Sequence, residues 1–414
     1  MREALRASTG VTLGLDPRPE GRAEDLRTAL AALWDPKKGL SRALTPEEEA
    51  FILYELTRSK VDFRFWLERY AYIKTKEQTL SRIRLFESQE VMFGRMATSE
   101  LDAVEGRSGD GVMLLILKAR QLGASTLVEA MLTHRVLFYA NTAALVAADV
   151  DEQSAYLFDM MERFYENLPW WMRPVKTFHV KNRELFFGDI DSLIFVRASR
   201  AMAGGSSDER GRGQMGRGKT IPLSHLSELA TWENPDQIDD SIRPAIPRSP
   251  RSLSVLESTA RGRGNWWHDT WLAAKAGVGR YRPIFIPWYA EARTYRRPAP
   301  LDWTPGPAAL RHADKAKEVS ARWCGRTITL DTDQLYWWET ERHDYLLRNR
   351  LSIFLSEYAA DDMECFQNTS ASIFPTEWLH EARLDARPLA LTCDVHFKKP
   401  KWERPSDPPS DPPS

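Results

Sequence analysis

The sequence predicts an α/β fold built on a mostly parallel central sheet, and three observations carry that expectation. From Val112 onward, short continuous apolar runs alternate with helix-like segments. The runs lack the polar alternation of a sheet with one wet face, so they read as strands covered on both sides by crossover helices. One of them, Leu114-Leu115-Ile116-Leu117, runs through a tight basic loop, Lys118-Ala119-Arg120-Gln121-Leu122-Gly123, into a helix start at Ala124-Ser125-Thr126.

The elements follow in order. Residues 1–45 form an Arg-, Gly- and Pro-rich leader with little periodicity. Thr45-Pro46-Glu47-Glu48 matches a capping box with proline at the first helical position, and Phe51, Ile52, Leu53 and Leu56 continue at helical spacing. The region from Phe63 to Phe93 reads as partly helical, with a break around Lys74–Gln78. The alternating part then gives a strand at 112–118, a helix at 124–138, a strand at 143–149 and a helix at 151–166. Further strands are expected at 193–197, 220–226, 253–258 and 282–287. A Gly- and Arg-rich segment, Ala201 to Lys219, interrupts the sheet. A helix is expected over Asp333–Ile353, with Trp337 and Trp338 packing. The closing repeat from Ser406 to Ser414 reads as a disordered tail.

Composition narrows the class. The chain has 414 residues, 43% apolar and 28% charged, enough to bury a large core. Cys324, Cys365 and Cys393 lie far apart, which suggests neither a disulfide framework nor a zinc site. There is no apolar run of membrane-spanning length and no N-terminal signal pattern, so a cytoplasmic protein with no membrane partner is expected. The net charge of −1 does not announce a nucleic-acid binder. Two windows are locally basic: Arg197, Arg200, Arg210, Arg212, Arg217 and Lys219, and Arg243, Arg248, Arg251, Arg261 and Arg263. Charge alone leaves solvated loops and phosphate-tracking loops equally open.

A loop that holds nucleotide phosphates needs converging backbone N–H groups, a cation and a hydroxyl for Mg²⁺. The general pattern is G-x-x-x-x-G-K-[ST]. Here the frame falls on Lys118 to Ser125, with lysine at the first glycine position and Ala124 where lysine usually stands. Gly123 and Ser125 are kept, and Lys118 and Arg120 are the available cations. Taken alone, the segment is either a chance helix start or a phosphate loop whose positive charge has moved upstream. Thr220-Ile-Pro-Leu-Ser-His-Leu-Ser-Glu228 is an apolar strand ending in a carboxylate, suited to orienting and deprotonating water. Ser227 stands where an aspartate for Mg²⁺ is usual. His225 reads as a packed residue, or one that supports a ligand from behind, rather than a ligand. Ser254-Val-Leu-Glu-Ser-Thr-Ala-Arg-Gly262 ends in small hydroxyl residues able to sense a phosphate.

Together, Lys-Ala-Arg-Gln-Leu-Gly-Ala-Ser, His-Leu-Ser-Glu-Leu-Ala followed by Trp232, and Glu-Ser-Thr-Ala-Arg-Gly resemble the ATPase domain of the large terminase subunit of tailed bacteriophages. Phe86-Glu-Ser-Gln89, Pro283-Ile-Phe-Ile-Pro-Trp288, and Phe354-Leu-Ser-Glu-Tyr358 followed by Cys365-Phe366 and Ser372-Ile-Phe374 are similar to further segments of that family. The likeness spans about residues 60–394. It implies a P-loop NTPase fold with helical N-terminal additions and only the start of an RNase H-like nuclease. The implied division is a leader and helical segment over 1–60, an ATPase domain over 61–360, a linker and first nuclease strand over 361–394, and a tail over 395–414.

The resemblance also implies roles. Gln89 would contact adenine, Lys118 and Arg120 would neutralise phosphates, and Gly123 would shape the loop. Ser125 would hold Mg²⁺, with Gln121, Ala124 and Thr126 as further nucleotide contacts. Glu228 would activate water and approach the metal, Thr259 would couple hydrolysis to DNA movement, and Arg200, Arg210 or Arg212 would serve in trans. ATP and Mg²⁺ are the implied cofactors. Double-stranded DNA, a small terminase subunit, a portal protein and a homo-oligomeric ring are the implied partners. The implied activity is ATP-driven translocation of viral DNA into a procapsid. The nuclease is represented only by Leu389-Ala-Leu-Thr-Cys-Asp394, and one carboxylate cannot hold two metals, so DNA cleavage by this chain is not expected. A helicase-like nucleic-acid-stimulated ATPase and an inactive prophage remnant remain the alternative readings.

Overall fold

The computed structural model describes residues 20–75, 77–177, 183–199, 220–236 and 241–366. The N-terminal part contains α1 (Glu20–Ala32), a ribbon of β1 (Trp34–Asp35) and β2 (Gly39–Leu40), α2 (Pro46–Val61), α3 (Phe63–Tyr70), a second ribbon of β3 (Tyr72–Lys74) and β4 (Leu80–Arg82), and α4 (Glu87–Val104). The start of α2 follows its sequence: Glu48 N donates to Thr45 Oγ1 at 3.3 Å and Thr45 N donates to Glu48 Oε2 at 2.8 Å. The break expected near Lys74–Gln78 is the turn of the second ribbon. Ala23, Leu26, Leu30 and Phe51 make a small core of their own, and the indole of Trp170 donates to Leu30 O at 2.9 Å.

The remaining elements are β5 (Val112–Lys118), α5 (Ala124–Phe138), β6 (Ala143–Ala148), α6 (Asp151–Glu166), β7 (Lys176–Thr177), β8 (Glu184–Phe187), β9 (Ser192–Ala198), β10 (Leu223–Ser227), β11 (Leu253–Ser258), α7 (Trp266–Lys275), β12 (Arg282–Ile286), α8 (Pro307–Cys324), α9 (Thr332–Leu347) and α10 (Leu351–Glu357). Among the described residues the large sheet has eight strands in the order β12-β5-β11-β10-β6-β9-β8-β7. From β12 to β9 every pairing is parallel, and β8 and β7 add an antiparallel edge. The mixed α/β architecture with a mostly parallel sheet is therefore the one expected from the apolar runs.

Every residue of β5, β10 and β11 is buried. Each fully buried Leu, Ile or Val side chain contributes about 1.5–3 kcal/mol, so burial rather than strand propensity fixes these central positions. Their order has a direct consequence for chemistry. Because β11 lies between β5 and β10, the ends of three segments distant in sequence come side by side at the carboxyl edge, where open parallel sheets bind ligands. Register matters equally, since slipping β11 by one residue would turn its polar side chains to the opposite face.

The single helix expected over Asp333–Ile353 is instead two. Asn349 adopts a left-handed φ of 53°, and Arg350 N turns back to Tyr345 O at 2.8 Å, closing α9 before α10 begins. Trp338 is fully buried and Trp337 partly so. No helix among the described residues is long and apolar enough to cross a membrane.

Candidate nucleotide-binding site

The loop between β5 and α5 is shaped by two left-handed residues, Gln121 (φ 54°) and Gly123 (φ 70°). Gly123 is the N-cap of α5 and offers no side-chain cap, and the first turn of the helix carries no acidic residue. Its N-terminal N–H groups, with the positive end of the helix dipole, are thus left for an anion. A β-carbon at Gly123 would stand 2.6 Å from Gln89 Nε2, so close packing and φ both require glycine.

Three loop carbonyls are pinned from outside. Tyr295 OH donates to Arg120 O, Ser88 Oγ donates to Leu122 O at 3.0 Å, and Gln89 Nε2 donates to Gly123 O at 2.9 Å. A trans peptide sets its carbonyl and the following N–H in opposite directions, so these bonds fix how the N–H groups of Gln121, Gly123 and Ala124 point. Gln89 Oε1 also accepts from Phe86 N at 2.9 Å, and the side chain is buried. In this structure the amide of Gln89 props the loop and caps α4, a different immediate task from the adenine contact implied by the resemblance. Ser88 and Tyr295 were not anticipated from sequence.

Beneath the loop lies a buried charged network. Lys118 Nζ is 2.9 Å from Glu228 Oε1 and 3.2 Å from Glu257 Oε2. Ser125 Oγ donates to Glu257 Oε1 at 2.8 Å, and Ser227 Oγ donates to the same oxygen at 2.9 Å. His225 Nδ1 is 2.6 Å from Glu129 Oε1, and its Nε2 is 3.4 Å from Glu257 Oε1. Glu129 sits one turn beyond Ser125 on α5, which brings both onto the helix face over β10 and β11.

Electrostatics sort these groups. Burial opposes the charge of Lys118, yet the Glu257 and Glu228 carboxylates outweigh it and lift its pKa above the ordinary lysine range. Burial would raise Glu257, but Lys118, His225 and the Ser125 hydroxyl hold it far below the usual carboxylate range. For His225 burial lowers the pKa, and the Glu129 and Glu257 carboxylates reverse this and push it to about 9. Glu129 is itself pulled upward by burial against the opposing influence of His225. Facing a carboxylate at each ring nitrogen, His225 is the better-supported charge of that pair.

The structure brings Lys118, Ser125 and Glu228 together, with Gly123, Ala124 and Thr126 at the adjoining helix start. Glu228 follows β10 with a left-handed φ of 53°, and Trp232 Nε1 seals the strand end by donating to Ser227 O at 3.1 Å. Strain in a non-glycine residue at such a strand end is characteristic of functional positions. Thr259 is buried just beyond β11, whose Ser258 Oγ accepts from Ala230 N at 3.1 Å. Arg120 is exposed at the loop, its Nε 3.1 Å from Glu357 Oε1 at the end of α10.

Asp394, Arg200, Arg210 and Arg212 lie outside the described residues. In the basic windows, Arg197 pairs with Glu184, Arg248 is 3.8 Å from Asp110, and Arg263 Nε donates to Phe366 O at 2.6 Å; Arg248, Arg251, Arg261 and Arg263 are all exposed. The residue most clearly missed in sequence is Glu257. Its signal was an ionisable residue within an otherwise apolar and hydroxyl-bearing segment, as were His225 in β10 and Glu129 in α5.

No family model matches the chain. Among solved structures it is similar to the large terminase of bacteriophage HK97, at 14% identity and a TM-score of 0.38 over 81% of this chain and 55% of that one. It is also similar to the large terminase ATPase domain of Thermus phage P74-26, at 15% identity and a TM-score of 0.36 over 67% and 99% of the two chains. A helicase domain, that of Hef from Pyrococcus furiosus, aligns at 10% identity and a TM-score of 0.32 over 66% and 58%. The chain thus spans 55% of the length of the HK97 protein. At these scores the chemistry of the site rests on its own geometry.

Proposed function

We propose that this chain is an ATP-hydrolysing DNA-packaging motor subunit of the large terminase type. The observation that carries the reading is the meeting of Lys118, Ser125 and Glu228 at the carboxyl edge of the sheet, 2.9 Å separating the Lys118 ammonium from the Glu228 carboxylate. The uncapped start of α5 and the pinned loop carbonyls support it, because both leave N–H groups for phosphate oxygens.

ATP and Mg²⁺ fit this donor set: a hydroxyl, carboxylates and a helix N-terminus, the sparse protein ligation that Mg²⁺ accepts beside phosphates. When bound, the metal would neutralise charge developing on the transferred phosphoryl group. Ser125 would hold it, and Gly123, Ala124 and Thr126 would present N–H groups to the phosphates. Lys118, exchanging Glu228 for a phosphate oxygen, would leave that carboxylate free to orient water and accept its proton. Arg120 adds a second, exposed cation, and Thr259, buried just beyond β11, would report the change. Asp394 lies outside the described residues, and the absence of DNA cleavage by this chain stays an expectation of the sequence. DNA, a small subunit, a portal and a ring assembly rest on the resemblance of the ordered motifs.

The test is ATP hydrolysis by the full chain with long double-stranded DNA, single-stranded DNA or none. Stimulation by duplex, with displacement of a bound triplex-forming strand and no unwinding, is expected. Unwinding of the duplex would replace the packaging reading with the helicase one, and no hydrolysis under any condition would overturn both.

A further inference from the structure

Ser227 occupies the strand end where a metal-organising aspartate is usual, and a hydroxyl alone cannot balance a divalent cation. Its neighbour across the sheet does carry a carboxylate. Ser227 and Glu257 are direct partners in the β10–β11 register, and the Ser227 hydroxyl donates to Glu257 Oε1 at 2.9 Å. The same oxygen receives the hydroxyl of Ser125 at 2.8 Å.

We propose that Glu257 is the carboxylate that organises Mg²⁺ at Ser125, so that the missing acidic group of β10 is supplied from β11. This assignment rests on the nucleotide reading of the loop. Three observations support it. Glu257 accepts from the hydroxyl of Ser125, the residue that the nucleotide reading gives to the metal. Its second oxygen, Oε2, is buried and stands 3.2 Å from the Lys118 ammonium. A fully buried carboxylate so placed is costly unless a cation stands beside it, and Lys118 and His225 fill that need here.

A merely structural Glu257 would hold the sheet together through Lys118 and the serines, with no consequence for metal affinity. The two cases separate experimentally. Mn²⁺ serves as a spectroscopic stand-in for Mg²⁺, and its binding to the full chain is titrated by electron paramagnetic resonance with a non-hydrolysable ATP analogue present. Analogue affinity is measured in parallel with chelator. The variants are Glu257→Gln, Glu257→Asp and the exchange Ser227→Asp/Glu257→Gln, each checked for folding by circular dichroism.

Glu257→Gln should retain analogue binding in chelator while Mn²⁺ affinity falls roughly 10- to 100-fold. The exchange variant should recover most of that affinity, because it moves the carboxylate to the register partner. Should Glu257→Gln unfold, Glu257→Asp decides: it keeps the charge, and its shorter reach should still weaken Mn²⁺ several-fold. Unchanged Mn²⁺ affinity in a folded Glu257 variant would overturn the assignment while leaving the nucleotide site intact. Failure of the wild-type chain to bind the analogue, even in chelator, would instead remove the nucleotide reading and the metal assignment with it.

Discussion

Replacing Lys118 by Met keeps most of the aliphatic stem and deletes the charge at the centre of the network. Lys118 faces Glu228 at 2.9 Å and Glu257 at 3.2 Å, and it is itself buried. Removing one partner of a buried ion pair costs about 3–5 kcal/mol, because a charge is left without compensation. The lower end applies here: Glu228 is partly exposed, and Glu257 retains Ser125, Ser227 and His225. We therefore expect Lys118→Met to destabilise by about 3 kcal/mol at neutral pH. Urea denaturation followed by circular dichroism reads this as a lower midpoint at unchanged slope. Adding Glu257→Gln removes the stranded charge, so the double variant should be more stable than the sum of the singles by about 1–3 kcal/mol. Lys118→Met within about 0.5 kcal/mol of wild type, with additive effects, would refute the buried network.

Other perturbations probe separate parts of the site. Gly123→Ala should cost about 2–3 kcal/mol in the same unfolding assay, combining a left-handed alanine with displacement of Gln89, and should weaken nucleotide binding. His225 gives a pH signature. Its pKa is raised on folding to about 9, so its contribution is complete below the unfolded value of about 6.5 and is lost as pH rises towards 9. Stability should fall by up to about 3 kcal/mol across that window, and His225→Gln should flatten the slope; an unaltered slope would exclude the pairing. Arg120→Ala should change stability by less than about 1 kcal/mol, since the pair with Glu357 has an exposed arginine, yet lower ATP turnover roughly a hundredfold. Turnover equal to wild type would leave Lys118 as the working cation.

The sheet and the left-handed turn into α5 were legible because both are local: continuous apolar runs, a helix start, a glycine and a hydroxyl within a few residues. The pattern Thr45-Pro46-Glu47-Glu48 gave the start of α2 for the same reason. What was not legible depends on pairing. Nothing along the chain says that β11 lies between β5 and β10, so neither the Lys118–Glu257 contact nor the Ser227–Glu257 register could be read. Gln89, Ser88 and Tyr295 converge on the loop from α4 and the segment after β12, and sequence spacing carries no trace of it. The break at Asn349 escaped because helical apolar spacing continues through it while the backbone turns left-handed.

The central claim is that the carboxylate at the end of β10 activates water at a nucleotide held by the β5–α5 loop. Glu228→Ala tests it most directly, with ATP binding and duplex-stimulated ATP turnover measured on the same preparations. Binding should persist near the wild-type affinity while turnover falls by roughly 10²- to 10⁴-fold, the range for loss of a general base. Wild-type turnover in Glu228→Ala would contradict the account.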